Sequence, residues 1–289
     1  MPELPEVEVV KRSLQTKLLN LVINKVKIID SSLRYKINKY QILKLTGSKI
    51  KKIERRSKYL IFWTDNDLII LAHLGMTGKF FFIDKSKKKF KTSFYYSLQE
   101  SKDKKYNKIV FFLQNNQKLI YNDVRKFGFI KVYDKKNYDK ISHLKKLGPE
   151  PLEKSYNFQY LKNYIVRRKR TIKEILMDQK CVSGLGNIYV NEILFSSGID
   201  PSRKVEKIKD FELNQIIKNT KKILKNSIKL GGSSIKDFSS DDGKKGIFQQ
   251  HFKVYGKNNE LCSNSDCNKR VIKIIISNRS TFFCKKCQK

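Results

Sequence analysis

Over the first half of the chain, apolar residues recur with a period close to two. Residues 21–30 alternate loosely between apolar and polar. The runs 50–56, 59–64, 68–73, 79–83, 108–113, 118–122 and 129–133 are mostly rich in Ile, Val, Phe and Tyr, with turn-forming residues between several of them. So many short strands without intervening helices predict an antiparallel sandwich or barrel. Ahead of them, Pro5-Glu6-Val7-Glu8 predicts a helix start, with proline at the first position and acids in the first turn, running into Val9, Val10, Leu14 and Leu18. Residues 86–105 are rich in lysine and serine and read as a surface loop.

Leu147-Gly148-Pro149-Glu150-Pro151-Leu152 brackets a glutamate with two prolines, so it can continue neither a helix nor a central strand. A domain boundary is expected there. Beyond it the period becomes about 3.6, with Ile172, Ile175 and Leu176 on one face and Leu213, Ile216, Ile217, Ile223 and Leu224 on another. Gly231-Gly232 ends the long helix, glycine being free to take a left-handed cap. The expected organisation is a β domain over 1–147, a linker over 148–156, a helical domain over 157–260 and a cysteine-bearing tail over 261–289.

The 289 residues allow two substantial cores. The 63 Lys+Arg against 27 Asp+Glu leave a formal charge of +36, which suits a polyanionic partner such as nucleic acid. Part of that excess fits a lysine-, asparagine- and isoleucine-rich composition typical of an AT-rich coding sequence. No apolar run approaches the ~20 residues a membrane span needs, and the acidic start is unlike a signal peptide, so a cytoplasmic protein is expected. Four of the five cysteines, Cys262, Cys267, Cys284 and Cys287, lie in the last 28 residues. In a reducing compartment they point to metal rather than disulfides. Two pairs flanking a short hairpin, residues 271–276 and 281–283, can wrap one tetrahedral zinc in a closed structural site. Cys181 stands apart as a packing residue.

Several stretches carry candidate chemistry. If Met1 is removed, Pro2 presents a secondary amine with a pKa of roughly 8, partly unprotonated at neutral pH. Such an amine can attack an electrophilic sugar carbon and hold it as an iminium ion, with Glu3 close enough to move a proton. The positive end of the helix that follows would disfavour the protonated amine. The same octapeptide also reads as an ordinary helix N-terminus with dipole-matched acids. Lys58, just before an apolar strand, reads as one exposed lysine among many. His73-Leu74-Gly75-Met76-Thr77-Gly78 is a tight glycine turn whose methionine either plugs a gap or wedges into a base stack. Tyr121-Asn122-Asp123-Val124-Arg125-Lys126-Phe127-Gly128 is a second turn. In it Arg125 offers two hydrogen bonds and Phe127 is either an intercalator or the first core residue of the next strand. Cys181-Val182-Ser183-Gly184-Leu185-Gly186-Asn187-Ile188-Tyr189 is a helical hairpin or a phosphate-binding helix start capped by Asn187.

Taken in order, these stretches resemble the formamidopyrimidine-DNA glycosylase family, bifunctional enzymes that excise oxidised purines from DNA. The resemblance covers nearly the whole chain, through the opening octapeptide, Lys58, His73 to Met76, Arg125 to Gly128, Ser183 to Tyr189, Gly231 to Gln249 and the four cysteines. It implies an α+β architecture: an N-terminal β-sandwich with a leading helix, then a helical domain with a helix-two-turns-helix motif and a zinc finger. Damaged duplex DNA would lie across a basic cleft between them. The protein would act as a monomer, on the nucleoid when bound to DNA.

By the same resemblance, Pro2 is the nucleophile, Glu3 the proton donor and shuttle, Glu6 a stabiliser and Lys58 an active-site cation. Met76 fills the vacated stack, Arg125 hydrogen-bonds the orphaned partner base with Phe127 intercalated beside it, and His73, Asn187 and Arg279 contact phosphates. Ser234, Lys236, Asp237 and Phe238 fall in a loop that closes over the everted base, and the cysteines hold one Zn2+. Two departures bear on partner-base preference: Val124 stands where the family has proline and Lys126 where it has a second arginine, which swaps a planar fork for a point charge. The first cysteine pair is C-x4-C where the family commonly has C-x2-C. Endonuclease VIII-like enzymes, which share the chemistry but prefer oxidised pyrimidines, typically begin Pro-Glu-Gly-Pro-Glu, and Leu4 favours the purine branch. A non-enzymatic zinc-ribbon nucleic-acid binder would account for the charge and the cysteines but not for the opening octapeptide.

Overall fold

The structure is a computed structural model that describes residues 1–84, 89–91, 104–233 and 248–289, the side chains of 89–91 excepted. The chain divides into two compact units. The first holds Met1–Lys145 and, among the described residues, also Gly231 to Ser233; the second holds Lys146–Leu230 and the chain from Phe248 to Lys289. The end of the long helical stretch thus returns to the N-terminal unit, and the cysteine-bearing tail belongs to the same unit as the helices.

The first unit opens with helix α1 (Leu4–Leu18), which has proline in its first turn as expected. Behind it stand two antiparallel sheets. One has the order β1 (Ile23–Ile28), β7 (Asn107–Leu113), β8 (Lys118–Asn122), β5 (Lys79–Ile83), β6 (Lys89–Lys91). The other has the order β2 (Ile50–Arg56), β3 (Tyr59–Thr64), β4 (Leu68–His73), β9 (Phe129–Asp134). One core runs between them. It is built from residues two apart on each strand, such as Leu60 and Phe62, Phe80 and Phe82, Ile109, Phe111 and Leu113, or Ile130 and Val132. Val7, Val10, Leu14 and Leu18 of α1 join it, at the helical spacing that puts them on one face. Each such buried side chain contributes about 1.5–3 kcal/mol. The Gln15 amide donates to the Ile53 carbonyl at 2.9 Å and fixes α1 against β2.

Two local expectations need correction. Within 86–105, Lys89–Lys91 is not loop but an edge strand on β5, with Phe82 opposite Phe90, and Lys104–Tyr106 is a turn of 3-10 helix. A short helix α2 (Lys39–Leu43) also precedes β2, its start capped by Asn38, whose side chain accepts the Gln41 N–H. Helix α3 (Ser142–Lys145) ends this unit.

The second unit carries α4 (Phe158–Ile165), α5 (Ile172–Met177), α6 (Asn187–Ser196) and α7 (Asp210–Lys229), then a hairpin of β10 (Ile272–Ile276) and β11 (Arg279–Phe283). Ser277 and Asn278 both have positive φ, at 48° and 58°, as the two-residue turn of a tightly twisted hairpin requires. Arg279 therefore opens β11 opposite Ile276. Among the described residues no helix is long and apolar enough to cross a membrane.

Candidate active site

Within the first unit, the N-terminus is locked by carboxylates. Pro2 is buried, Glu3 is 4 % exposed and Glu6 2 %, whereas the Met1 side chain is 44 % exposed. Glu6 Oε2 accepts the Glu3 N–H at 2.9 Å. Its other oxygen accepts both the Ser233 N–H, at 2.8 Å, and the Ser233 hydroxyl, at 2.9 Å. Gly232, at φ +80°, lies against it so closely that a Cβ there would come within 3.2 Å of Glu6 Oε1. Glu6 therefore ties the first turn of α1 to the start of the segment that follows the long helix. Glu8 gathers Lys11, Arg12 and Arg55 at 2.8 to 3.0 Å. Burial alone would raise its pKa, but the bond to Lys11 and the charge of Arg55 hold it below the usual carboxylate range.

Burial pushes the terminal amino group, here that of Met1, below its ordinary pKa; Glu3 opposes that shift, Lys58 adds to it, and Glu6 and Arg125 act more weakly in opposite senses. Four of the residues singled out from the sequence, Glu3, Glu6, Lys58 and Arg125, thus act electrostatically on the same terminal group. Lys58 is 7 % exposed, the reverse of an ordinary surface lysine, and follows Ser57, whose φ is +56°. Its charge also acts on His73. Burial first, then Lys58, Arg34 and His143, lower the His73 pKa to about 4, so the ring is neutral. Nδ1 accepts the Gly75 N–H at 3.1 Å, which leaves Nε2 as the donor.

Met76 sits half-buried in the turn after β4. In the turn before β9, the Arg125 guanidinium lies 4.8 Å from the centre of the Phe127 ring, and Phe127 is 47 % exposed rather than a core residue. Lys126 has φ +59° and its Nζ is 3.5 Å from Asp30 Oδ2, a carboxylate that also binds the buried Lys108 at 2.5 Å. The point charge at this position is turned toward Asp30.

In the second unit, Asn187 is not the helix cap. Gly186 takes that place, and the Asn187 side chain instead donates to the Ser280 carbonyl at 2.9 Å. The turn before α6 is held by Gln179, which accepts the Gly184 N–H and donates to the Leu185 carbonyl, both at 2.8 Å. Lys173 was not anticipated. It is fully buried, donates to Thr281 Oγ1 at 2.6 Å and to the Ser280 carbonyl at 3.2 Å, and burial with the nearby Arg279 charge lowers its pKa to about 8. Nothing in a period-3.6 stretch distinguishes it from a solvent lysine. Glu192, equally unforeseen, accepts the N–H groups of Lys253, Val254 and Tyr255 at 2.8 to 3.0 Å. Ser234, Lys236, Asp237 and Phe238 lie outside the described residues.

The four tail cysteines converge, all their sulfurs lying within 4.8 Å of one another. Cys262 Sγ is 3.7 Å from Cys287 Sγ, and Cys267 Sγ is 3.6 Å from Cys284 Sγ. A tetrahedral zinc with Zn–S bonds of about 2.3 Å needs sulfurs roughly 3.8 Å apart, so the set fits the ion as thiolates. The longer first knuckle is absorbed locally: the Cys267 N–H donates to the Asn264 carbonyl, and residues 263–266 are exposed.

A two-layer sandwich led by a helix, joined in one chain to a helical unit with a four-cysteine finger, describes a class of DNA-lesion enzymes. Residues 1–130 match the model of the formamidopyrimidine-DNA glycosylase N-terminal domain, and residues 147–239 match that of the formamidopyrimidine-DNA glycosylase H2TH domain. The chain is 38% identical over 290 residues to formamidopyrimidine-DNA glycosylase of Rickettsia felis, covering 100% of this chain and 98% of the relative. It is likewise 38% identical over 291 residues to that of Rickettsia bellii, covering 100% of both. Among solved structures, a Lactococcus lactis mutant enzyme in complex with Fapy-dG-containing DNA superposes with a TM-score of 0.85 at 32% identity, covering 100% of both chains. The complex of the Lactococcus lactis enzyme with abasic-site DNA gives 0.84 at 32%, covering 99% of both. This chain belongs to the formamidopyrimidine-DNA glycosylase family.

Proposed function

We propose that the chain is a base-excision DNA glycosylase with AP lyase activity, removing oxidised purines such as 8-oxoguanine and formamidopyrimidines from duplex DNA. With Met1 removed, the Pro2 nitrogen attacks C1′ of the damaged nucleotide. The base departs with the glycosidic electron pair, Glu3 protonates the opening sugar, and the nitrogen lone pair closes an iminium to C1′. That cation acidifies the C2′ proton. Its removal expels the 3′ phosphate by β-elimination, and a second, δ, elimination releases the 5′ phosphate.

One observation carries the reading: Pro2, whose nitrogen becomes the terminal amine once Met1 is removed, is buried at the start of α1 next to the buried carboxylates of Glu3 and Glu6, and the Met1 amino group that precedes it is already lowered in pKa by burial. Glu6 positions that turn through Glu3 and Ser233. Lys58 and neutral His73 act on phosphates near the lesion, Met76 fills the vacated stack, Arg125 hydrogen-bonds the orphaned partner base with Phe127 intercalated beside it, and Asn187 and Arg279 form a second phosphate-binding set. In that set the Arg279 strand is held by bonds from Lys173 and Asn187 to its neighbour Ser280. The thiolates of Cys262, Cys267, Cys284 and Cys287 hold one structural zinc, which fixes the hairpin and leaves no open coordination position for chemistry. Ser234, Lys236, Asp237 and Phe238, outside the described residues, are assigned to the loop that closes over the everted base. We further propose a monomer acting in the cytoplasm. The test is cleavage of two matched duplexes, one with 8-oxoguanine and one with thymine glycol. Preferential cutting of the first supports the proposal; preference for the second would assign oxidised pyrimidines instead.

A further inference from the structure

At the end of α6 away from Asn187, roughly 14 Å along the helix, the second unit carries a groove of about 720 Å3. One wall is the C-terminal end of α6, from Phe195 to Gly198. The other is a face of α7 bearing Phe211, Gln215, Asn219, Lys222 and Asn226, at the helical spacing that aligns them. Asn219 donates to the Ser196 carbonyl at 2.9 Å and to Ser197 Oγ at 3.0 Å, which ties the two walls together. The exposed His251 and Lys253 also line the groove, as does Asn264 of the lengthened C-x4-C knuckle. The Phe211 ring is 63 % exposed. Among the described residues the one carboxylate lining the groove is that of Glu192, which is buried and has both oxygens occupied by the N–H groups of residues 253–255. Along α7 stand Lys218, Lys221, Lys222, Lys225 and Lys229, with no acid after Glu212. Like charges three and four apart destabilise a helix, so this run gains from a bound anion.

We propose that this groove is a second nucleic-acid site, which takes a single-stranded segment separate from the duplex held at the lesion. It goes beyond the glycosylase reading and does not depend on it. Single-strand sites combine cations that track the backbone with an aromatic ring on which a base stacks, and Lys222 and Lys253 with Phe211 supply both. Gln215, Asn226 and Asn264 each offer donors and an acceptor, which suits the edges of bases. The layout of charge favours a nucleotide over an acidic peptide. The carbonyls that close α6 carry the negative end of its dipole, so a carboxylate seated between the walls would be repelled. Base amino groups are bound there instead, and the phosphates lie out on the lysines.

The test is fluorescence anisotropy of a labelled oligodeoxycytidylate of about eight nucleotides. It is added to the zinc-loaded chain alone, and to the same chain saturated with an unlabelled duplex that holds a tetrahydrofuran abasic analogue. Binding should persist in the saturated chain. Phe211→Ala should weaken it by about tenfold, the effect of one lost stack. Lys222→Gln and Lys253→Gln should each lower the slope of log affinity against log salt by about 0.7, one phosphate contact per lysine. All three positions are exposed, so melting temperatures and cleavage of an 8-oxoguanine duplex should match those of the unsubstituted chain. Loss of binding once the duplex is present, or unchanged affinity and salt slope in the folded variants, overturns the proposal. So does displacement by a polyglutamate of equal charge as readily as by unlabelled oligodeoxycytidylate, which would assign the groove to an acidic protein segment. A chain that binds the oligonucleotide in this way but cuts no oxidised duplex would overturn the glycosylase reading and leave the groove's assignment standing.

Discussion

The sandwich and the cysteine finger are held together in contrasting ways. The sandwich draws on a continuous core contributed by both sheets and α1, with each strand supplying residues two apart. The finger has only a small cluster, in which Val254, Val271, Phe282 and Phe195 pack around the cysteines themselves. Its hairpin presents Ile275 to solvent, and the strand's other apolar side chains are only half-buried. A two-stranded hairpin with so little to bury is marginal alone, so the metal supplies what the core does not. Local stability therefore resides in hydrophobic area in one region and in ligation in the other.

The largest effect expected from that contrast is removal of zinc. Chelation, or Cys284→Ser, should expose the chain beyond Phe248 to protease while the sandwich keeps its melting transition, and DNA affinity should drop by about a hundredfold or more, since structural zinc is worth on the order of 10 kcal/mol of folding in small fingers. Undiminished DNA binding by metal-free protein would break the comparison. Next comes Glu6→Gln. An amide can accept at only one of the two places now served by the carboxylate, leaving either the Glu3 or the Ser233 N–H unpaired, a cost of about 1–3 kcal/mol. The melting temperature of the first unit should fall, with excision falling further than lesion binding.

The pH dependence is smaller. His73 titrates at about 4 in the folded chain against roughly 6.5 when unfolded, so between those values the unfolded state binds the extra proton. Stability from this group is full above about 6.5 and is lost as pH falls toward 4; His73→Gln should flatten that part of the denaturation profile. The smallest effect is expected for Lys126→Arg. It should leave stability within about 0.5 kcal/mol of the unsubstituted chain and alter only the ranking of bases opposite the lesion, measured by excision from four matched duplexes.

The same contrast explains what could be read from the chain alone. Strands β2 to β5 and β8 begin and end where the Ile-, Val-, Phe- and Tyr-rich runs do; β4 and β5 are buried almost throughout, so they show as short apolar runs between turn residues rather than as an alternation. The finger was legible through its cysteines, not its hydrophobicity. Lys89–Lys91 escaped because an edge strand with one apolar residue has almost no period to show. Asn187 looked like a cap because asparagine usually is one, but its partner, Ser280, lies 93 residues away. The Lys173 and Glu192 bonds are of the same kind: each joins an ordinary-looking polar residue to distant positions, and pattern along the chain carries no trace of such pairing.

The central claim concerns a covalent bond between the N-terminal imino nitrogen and deoxyribose. Borohydride reduction during turnover of an 8-oxoguanine duplex, followed by mass mapping of the peptide that carries the sugar, tests it most directly. The account predicts a chain lacking Met1 and an adduct on the N-terminal peptide at Pro2. An adduct on Lys58 or another lysine, or cleavage with no trapped protein at all, would contradict it.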